Sequence, residues 1–442
     1  MKAGAVPASW KEKIILTTEK SLPEFLEAHR KEEKASFHMP GHKGPAFFAR
    51  LGYGGAGMAE AADFDITEIP GADDLRHADG VIKAISDRYS ELYGSRRSFI
   101  SVNGSSAPIM AAVMSQVGRG RRIIASSDCH ISVKNGIRLA GAEAVYIEPE
   151  RISFDSQAEE TAAAPCQISD GEKQGIPGGV SAEKIGALLD EYEDADAVIF
   201  PSPNYFGVMS DVAAIAEEVH RRDKILIVDQ AHGAHLKMFS DAYRAGQSSS
   251  ADRLLPAPAE ECGADIVIDS THKTMASFTQ SAVVNIIGDR VDADEYEHAL
   301  LTLESTSPSY ILMYSLAMNA EIMAEHGNEL AKKWRDDLDH FYSEIKKIDG
   351  VRVLTGQMVP GGLFDDTKIV LDLSRAGMSG EQAEAALIER GIYPEFSIPL
   401  SLYTCFSVSL SVPQNALPRI NSHFLQDIHP LKLIHLPHFL LL

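Results

Sequence analysis

The 442-residue chain carries 41 Lys and Arg against 63 Asp and Glu, a formal charge of −22. Such acidity argues against non-specific binding to nucleic acid or to an anionic membrane, and it suits either a solvated acidic surface or a cationic ligand. With 45% hydrophobic and 24% charged residues, the composition is that of a soluble globular protein of two or three domains, at roughly 100–200 residues each.

In chain order, the first 20 residues lack a long apolar core before their charges, so no signal peptide is expected. No apolar run approaches the ~18 residues of a membrane span. Residues 81–93 place apolar side chains at helical spacing. A strand is predicted over 98–102, followed by Gly104-Ser105-Ser106 and an apolar helix over 108–117. The alternation continues with a strand at 122–125, a helix at 133–140 and strands at 144–147 and 197–200. A helix at 212–221 and strands at 225–228, 266–268 and 283–287 complete it. Short, continuously apolar strands between helices imply an α/β domain whose largely parallel sheet is covered on both faces.

Residues 152–177 and 244–261 are rich in Ala, Ser, Pro and Glu with little periodicity, and read as surface insertions. Beyond 290 the chain turns helical, with a long amphipathic stretch near 328–348. Strands at 351–354 and 368–373 and a helix at 379–390 then suggest a second, smaller α+β domain. The expected division is an N-terminal segment (1–45), a large domain (46–325) and a small C-terminal domain (326–442). Cys129, Cys166, Cys262 and Cys405 lie far apart without a CxxC pair. That excludes a disulfide scaffold or a zinc ribbon, so no metal site and a reducing, cytoplasmic setting are expected.

Four segments at strand ends carry the chemistry. Asp269-Ser270-Thr271-His272-Lys273-Thr274 follows the strand at 266–268. A lysine there is either a snorkelling surface residue or an amine freed by desolvation to form a Schiff base with an aldehyde cofactor. Asp229 closes the strand at 225–228, either as a solvated cap or as a buried carboxylate that keeps a pyridine nitrogen protonated. Asn103-Gly104-Ser105-Ser106 precedes a helix, either as an ordinary N-cap or as a phosphate cup at the positive end of the helix dipole. His130 is either structural or a ring that stacks on an aromatic ligand. Together these segments make a pyridoxal-phosphate site, with Lys273 44 positions after Asp229.

At this point the sequence resembles the short-form Orn/Lys/Arg decarboxylases of bacteria, fold-type I pyridoxal-phosphate enzymes. The resemblance is carried by Phe37-His38-Met39-Pro40-Gly41-His42-Lys43-Gly44 and by Asp65-Ile66-Thr67-Glu68-Ile69-Pro70-Gly71. Pro201-Ser202-Pro203-Asn204-Tyr205-Phe206-Gly207, Ser270-Thr271-His272-Lys273-Thr274 and Ser305-Thr306-Ser307-Pro308-Ser309-Tyr310 also carry it. It implies that Lys273 holds pyridoxal 5'-phosphate covalently, Asp229 bonds the ring nitrogen and His130 stacks on the ring. Ser105, Ser106, Ser270 and His272 would hold the phosphate, and His232 would lie near the ring.

The resemblance also implies a homodimer or larger homo-oligomer, with Ser305, Thr306 and Ser307 reaching the neighbour's site and the motif around His38 and His42 helping to close it. The implied reaction is decarboxylation of arginine, lysine or ornithine to CO2 and an amine for polyamine synthesis. Asp73, Asp74 and Glu395 are candidate partners for the substrate's distal cation. Three positions depart from the family's habit: Ile131 after the histidine, Ile109 after the phosphate loop, and Gln230 where glutamate is frequent. The region after about Phe396 resembles the family poorly and reads as shortened. Alternative readings are another fold-type I reaction such as aminotransfer, or a weakly active relative with a binding role.

Overall fold

The structure, a computed structural model, describes residues 20–32, 36–55, 57–154, 175–245, 255–377, 379–389, 391, 393–397 and 403–407. Its centre is a seven-stranded sheet built from β1 (Arg97–Ser101), β2 (Arg122–Ser126), β3 (Glu143–Ile147), β4 (Ala195–Pro201), β5 (Ile225–Asp229), β6 (Ile266–Asp269) and β7 (Ala282–Ile286). The spatial order is β1-β7-β6-β5-β4-β2-β3. Neighbours from β6 through β3 pair in parallel. Only β7 runs against the rest, pairing antiparallel with both β1 and β6. The near-continuous apolar runs predicted as strands are buried along their whole length, as in Leu226, Ile227 and Val228. That is what helices on both faces of a parallel sheet require.

The covering helices are α1 (Leu22–Lys31), α2 (Val81–Tyr93), α3 (Ser106–Gln116), α4 (Ile131–Ala140), α5 (Ala182–Glu191), α6 (Val212–His220), α7 (Leu236–Arg244), α8 (Ala293–Leu303) and α9 (Tyr310–Ile345). Two cores lie on the sheet faces: α3, α4 and α8 pack on one side, and α5 and α6 on the other. Leu22 and Leu26 of α1 share a third core with Ile82 and Tyr89 of α2 and Leu316 of α9.

The helix predicted near 328–348 is longer than its periodicity suggests, running from Tyr310 to Ile345, or ~54 Å at 1.5 Å per residue. Its first half buries Tyr310, Met313, Leu316, Ala317 and Ala320 in the third core, so its apolar stripe is too broad to read as amphipathic. The expected domain division at 325/326 falls inside this helix, which continues from the large domain to the smaller unit. There, β8 (Arg352–Val353), β9 (Lys368–Asp372), β10 (Phe396–Ser397) and β11 (Tyr403–Ser407) form an antiparallel sheet in the order β8-β9-β11-β10. Helix α10 (Gly380–Ile388) accompanies it, opened by a capping box between Ser379 and Gln382.

The two stretches read as insertions need correction at their ends. Residues 155–174 and 246–254 lie outside the described residues, as does the tail from 408. Arg151–Ile152, however, pairs with Ile176–Pro177. Ile152, Phe154 and Ile176 are buried against Phe206, Val208, Leu354 and Val370. Glu260, in the second stretch, is 7% exposed and bonded to Gln230 and Asn285. Composition marked both stretches as polar, but at their described ends Ile152, Phe154, Ile176 and Glu260 belong to the core.

Candidate active site

The carboxyl ends of β1, β2, β5 and β6 meet at one edge of the sheet, where open α/β folds place ligands. They enclose a cavity of about 430 Å³. Lys273, Asp229, His130, Ser105, Ser106, His232 and His272, singled out from the sequence, all line it. Ser270 and Thr306 do not. Ser270 is fully buried at the start of the short helix Thr271–Thr274. Thr306 is exposed on the turn between α8 and α9, so this chain alone does not bring it to the cavity.

Lys273 Nζ lies 3.0 Å from His232 Nε2. Burial pushes the lysine below its ordinary pKa, and the nearby Asp229 carboxylate pulls it partly back. Burial, reinforced by the Lys273 charge, holds His232 well below the usual histidine range, so its Nε2 accepts from the amine. Asp229 is 6% exposed and accepts a hydrogen bond from Ala231 N at 3.2 Å. Burial raises its pKa, against the opposing pull of Lys273. Each is thus the other's counter-charge.

The remaining groups are positioned by helix starts. His130 is the N-cap of α4, with Nδ1 accepting from Ser132 N at 3.3 Å and lying 2.7 Å from Ser132 Oγ. Nδ1 is therefore the unprotonated nitrogen, and Nε2 carries the hydrogen. Ser105 and Ser106 open α3. Gly104 before them adopts φ +68 and donates its N–H to the Gln280 carbonyl at 2.8 Å. His272 donates from Nδ1 to the Ser281 carbonyl at 2.6 Å. Burial lowers its pKa.

Sequence reasoning missed Tyr205. Its ring sits 4.3 Å from that of His232, centroid to centroid, and Lys273 Nζ is 5.8 Å from the Tyr205 ring. The signal was the Pro203-Asn204-Tyr205-Phe206-Gly207 run. Asn204 folds that run into a turn, its Oδ1 accepting from Phe206 N and Val208 N.

Two of the acids offered for the substrate cation are structural instead. Asp73, at φ +68, accepts backbone N–H bonds from Asp74, Asp79, Gly80, Ile82 and Lys83. Asp74 caps the turn Leu75–His77. Short acids with several N–H groups in reach act as caps. Glu395 is exposed, and its charge acts on both Lys273 and Tyr205.

These residues fit a phosphorylated aldehyde. A desolvated amine faces a buried carboxylate in a cavity floored by a helix start, and beside it the Ser270 hydroxyl is buried with no hydrogen-bond partner among the described residues. A mostly parallel sheet with one reversed strand and this strand-end site define a fold-type I pyridoxal-phosphate enzyme. Solved structures agree on the fold. The chain superposes on Francisella novicida lysine decarboxylase LdcF with a TM-score of 0.71 and 22% identity, covering 92% of this chain and 59% of that one. The constitutive lysine decarboxylase of Escherichia coli gives 0.68 and 19%, covering 92% and 60%.

The family profile described as "Orn/Lys/Arg decarboxylase, major domain" matches residues 21–371, and the chain belongs to that family. It is 32% identical to an arginine decarboxylase of Halalkalibacterium halodurans over 371 residues, covering 82% of this chain and 68% of the relative. It is 29% identical to the arginine decarboxylase of Bacillus subtilis over 391 residues, covering 87% and 71%. The lysine decarboxylase LdcA of Pseudomonas aeruginosa is more distant, at 24% over 317 residues, covering 68% and 40%.

Proposed function

We propose that the chain decarboxylates a basic amino acid, arginine first, to CO2 and the corresponding amine, as a cytoplasmic homodimer supplying polyamine synthesis. The observation that carries the reading is the juxtaposition of Lys273, His232 and Asp229 in one cavity. The preference for arginine rests on the two relatives at 29–32% identity, both arginine decarboxylases, against 24% for LdcA.

Lys273 would hold the cofactor's carbonyl carbon, Asp229 its ring nitrogen and His130 one ring face. Ser105, Ser106, Ser270 and His272 would hold the phosphate. Pyridoxal phosphate supplies, when bound, a sink for the electron pair left as the Cα–carboxylate bond breaks. The chain's own groups do the rest. Ionised Asp229 holds a proton at the ring nitrogen, which stabilises negative charge that develops only in the transition state. His232 Nε2 orients the Lys273 amine, and Lys273 Nζ returns a proton to Cα. Glu395, whose charge reaches Lys273 and Tyr205, meets the substrate's distal cation, and Thr306 serves the neighbouring subunit's site.

The test is CO2 release by purified protein with pyridoxal phosphate, given arginine, lysine and ornithine separately, alongside Lys273→Ala. Release from one substrate, lost in the variant, supports the reading and names the substrate. A keto acid product moves the protein to aminotransfer. No turnover from any of the three overturns the proposal.

A further inference from the structure

One buried acid beside the phosphate loop has no task in this chemistry. Glu304 follows α8 directly as its C-cap and is 5% exposed. It sits behind the 102–106 loop, outside the cavity lining. Its Oε1 is hydrogen-bonded to Ser101 Oγ. That hydroxyl also lies 3.1 Å from the Gly104 carbonyl oxygen and accepts the Asn103 N–H at 3.2 Å. A second tie joins the same two segments, Asn103 Nδ2 donating to the Leu303 carbonyl at 3.0 Å.

The hydrogens can be counted. Ser101 has one hydroxyl hydrogen and two oxygens in reach that need it. An ionised Glu304 would take it, leaving the Gly104 carbonyl without a donor beside a buried anion. A protonated Glu304 donates to Ser101 and Ser101 donates to Gly104, so the hydroxyl and both oxygens in its reach are served. Glu304 Oε2 is buried with no hydrogen-bond partner among the described residues, which also favours the neutral acid.

The surroundings agree. Burial raises the Glu304 pKa, opposed by Ser101 and by the N–H groups of Val102, Asn103 and Ser305 that face the carboxyl. The negative end of the α8 dipole also disfavours charge there. Tyr296 of α8, the titratable group that feels the Glu304 charge, donates its hydroxyl to the Pro108 carbonyl and stays neutral, its pKa raised by burial first and by Glu304 second. Arg76 acts on the Leu301 carbonyl one turn back.

We propose that Glu304 is a positioning residue, protonated behind the phosphate loop, which through Ser101 holds the Gly104 carbonyl turned inward so that the start of α3 faces the cofactor phosphate. This rests on the reading of residues 104–106 as the phosphate site, and the experiment separates the two. Cofactor-free protein is titrated with pyridoxal 5'-phosphate and with pyridoxal at several pH values, and the two dissociation constants are compared as a ratio. The ratio isolates the phosphate end, since both ligands share the ring and the Lys273 linkage.

Wild-type protein is expected to prefer the phosphorylated ligand, less so as pH rises through the Glu304 pKa. Glu304→Gln, whose amide still donates to Ser101, keeps the preference and loses its pH dependence. Glu304→Ala lowers the preference about tenfold, the equivalent of one buried hydrogen bond, with pyridoxal binding unchanged. Wild-type protein without a preference for the phosphorylated ligand overturns the phosphate site itself. A preference retained by the Ala variant, or a Gln variant whose pH profile follows wild type, overturns the role of Glu304 alone. If the Ala variant fails to fold, the Gln profile still decides.

Discussion

Behind the site, Glu260 and Asp269 test whether its strand ends are held by a shared proton. They are 7% and 0% exposed. Each accepts one N–H from the Gln230 amide and one from the Asn285 amide, all at 3.0 Å. The amide oxygens are occupied too, Gln230 Oε1 accepting from Ala259 N at 2.7 Å and Asn285 Oδ1 from Ser98 Oγ at 2.7 Å. Burial raises the pKa of both acids, Asp269 well above the usual range, with the Glu260 charge adding to it. Two carboxylates facing each other in a dry interior do not both ionise, so the pair holds a proton.

Glu260→Ala leaves one N–H of each amide without its acceptor. At ~1–3 kcal/mol for each buried orphan, the expected loss is ~2–6 kcal/mol of stability. Glu260→Gln keeps the shape but replaces one acceptor oxygen by an N–H donor, so one amide N–H loses its acceptor, at ~1–3 kcal/mol. The pH dependence has a definite sign. The folded pair keeps its proton above pH ~4, where unfolded carboxyls release theirs, so its contribution is full below that pH and is lost as pH rises through the raised folded value. Glu260→Gln flattens that fall. Urea unfolding followed by circular dichroism from about pH 5 to about pH 9 reads both effects. An Ala variant within ~0.5 kcal/mol of the parent, below the range for a buried orphan, refutes the shared-proton arrangement. So does a parent whose stability declines with pH no faster than that of the Gln variant.

Asp73→Ala is expected to lose ~2 kcal/mol of stability as a cap, with KM for the amino acid unchanged. A raised KM at unchanged stability would return Asp73 to the substrate pocket. Gly207→Ala drives a Cβ into the Asp365 carbonyl oxygen at φ +81. It should cost ~1–3 kcal/mol, read as a lowered thermal midpoint; an unchanged midpoint would mean that the small domain yields freely there. Asp229→Asn removes the charge that raises the Lys273 pKa. The pH midpoint for cofactor reconstitution should therefore fall, and a rise would show that Asp229 does not act on Lys273 as a counter-charge.

The sheet and most of the site were legible because their signals are local. A strand of four apolar residues ending in Asp229, and another ending in Asp269 four residues before Lys273, announce their edge of the sheet without any distant contact. The Asn103–Ser106 segment shows its place at the cavity by sitting between a strand and a helix. Groups that act across the fold leave no such mark. Glu304 meets Ser101 over 203 positions, and Gln230 meets Asp269 over 39. Asp73 and Asp74 look like any acids in sequence. Only the backbone shows Asp73 at positive φ, gathering N–H groups from the start of α2. Burial of the ends of the polar stretches was hidden because composition averages over a few decisive side chains such as Ile152 and Glu260.

The two groups at the centre of the site respond to one cause in opposite directions. Desolvation raises Asp229 and lowers Lys273, pushing both toward their neutral forms. Neutrality would suit a lysine whose free amine is a nucleophile and would hinder an aspartate that must be ionised to anchor a proton, the roles proposed for them. Without a ligand each restrains the other, since Lys273 is the main charge lowering Asp229 and Asp229 the main charge raising Lys273. A cation placed against Asp229 resolves the conflict: it replaces Lys273 as counter-charge, the carboxylate ionises, and the amine is released to its desolvated, neutral state. Asp229 therefore couples the two ends of the cavity through charge alone. Its removal should weaken cofactor binding more than it weakens the fold, because Lys273 and the Ala231 N–H offset only part of the cost of burying the carboxylate and a bound cation offsets more.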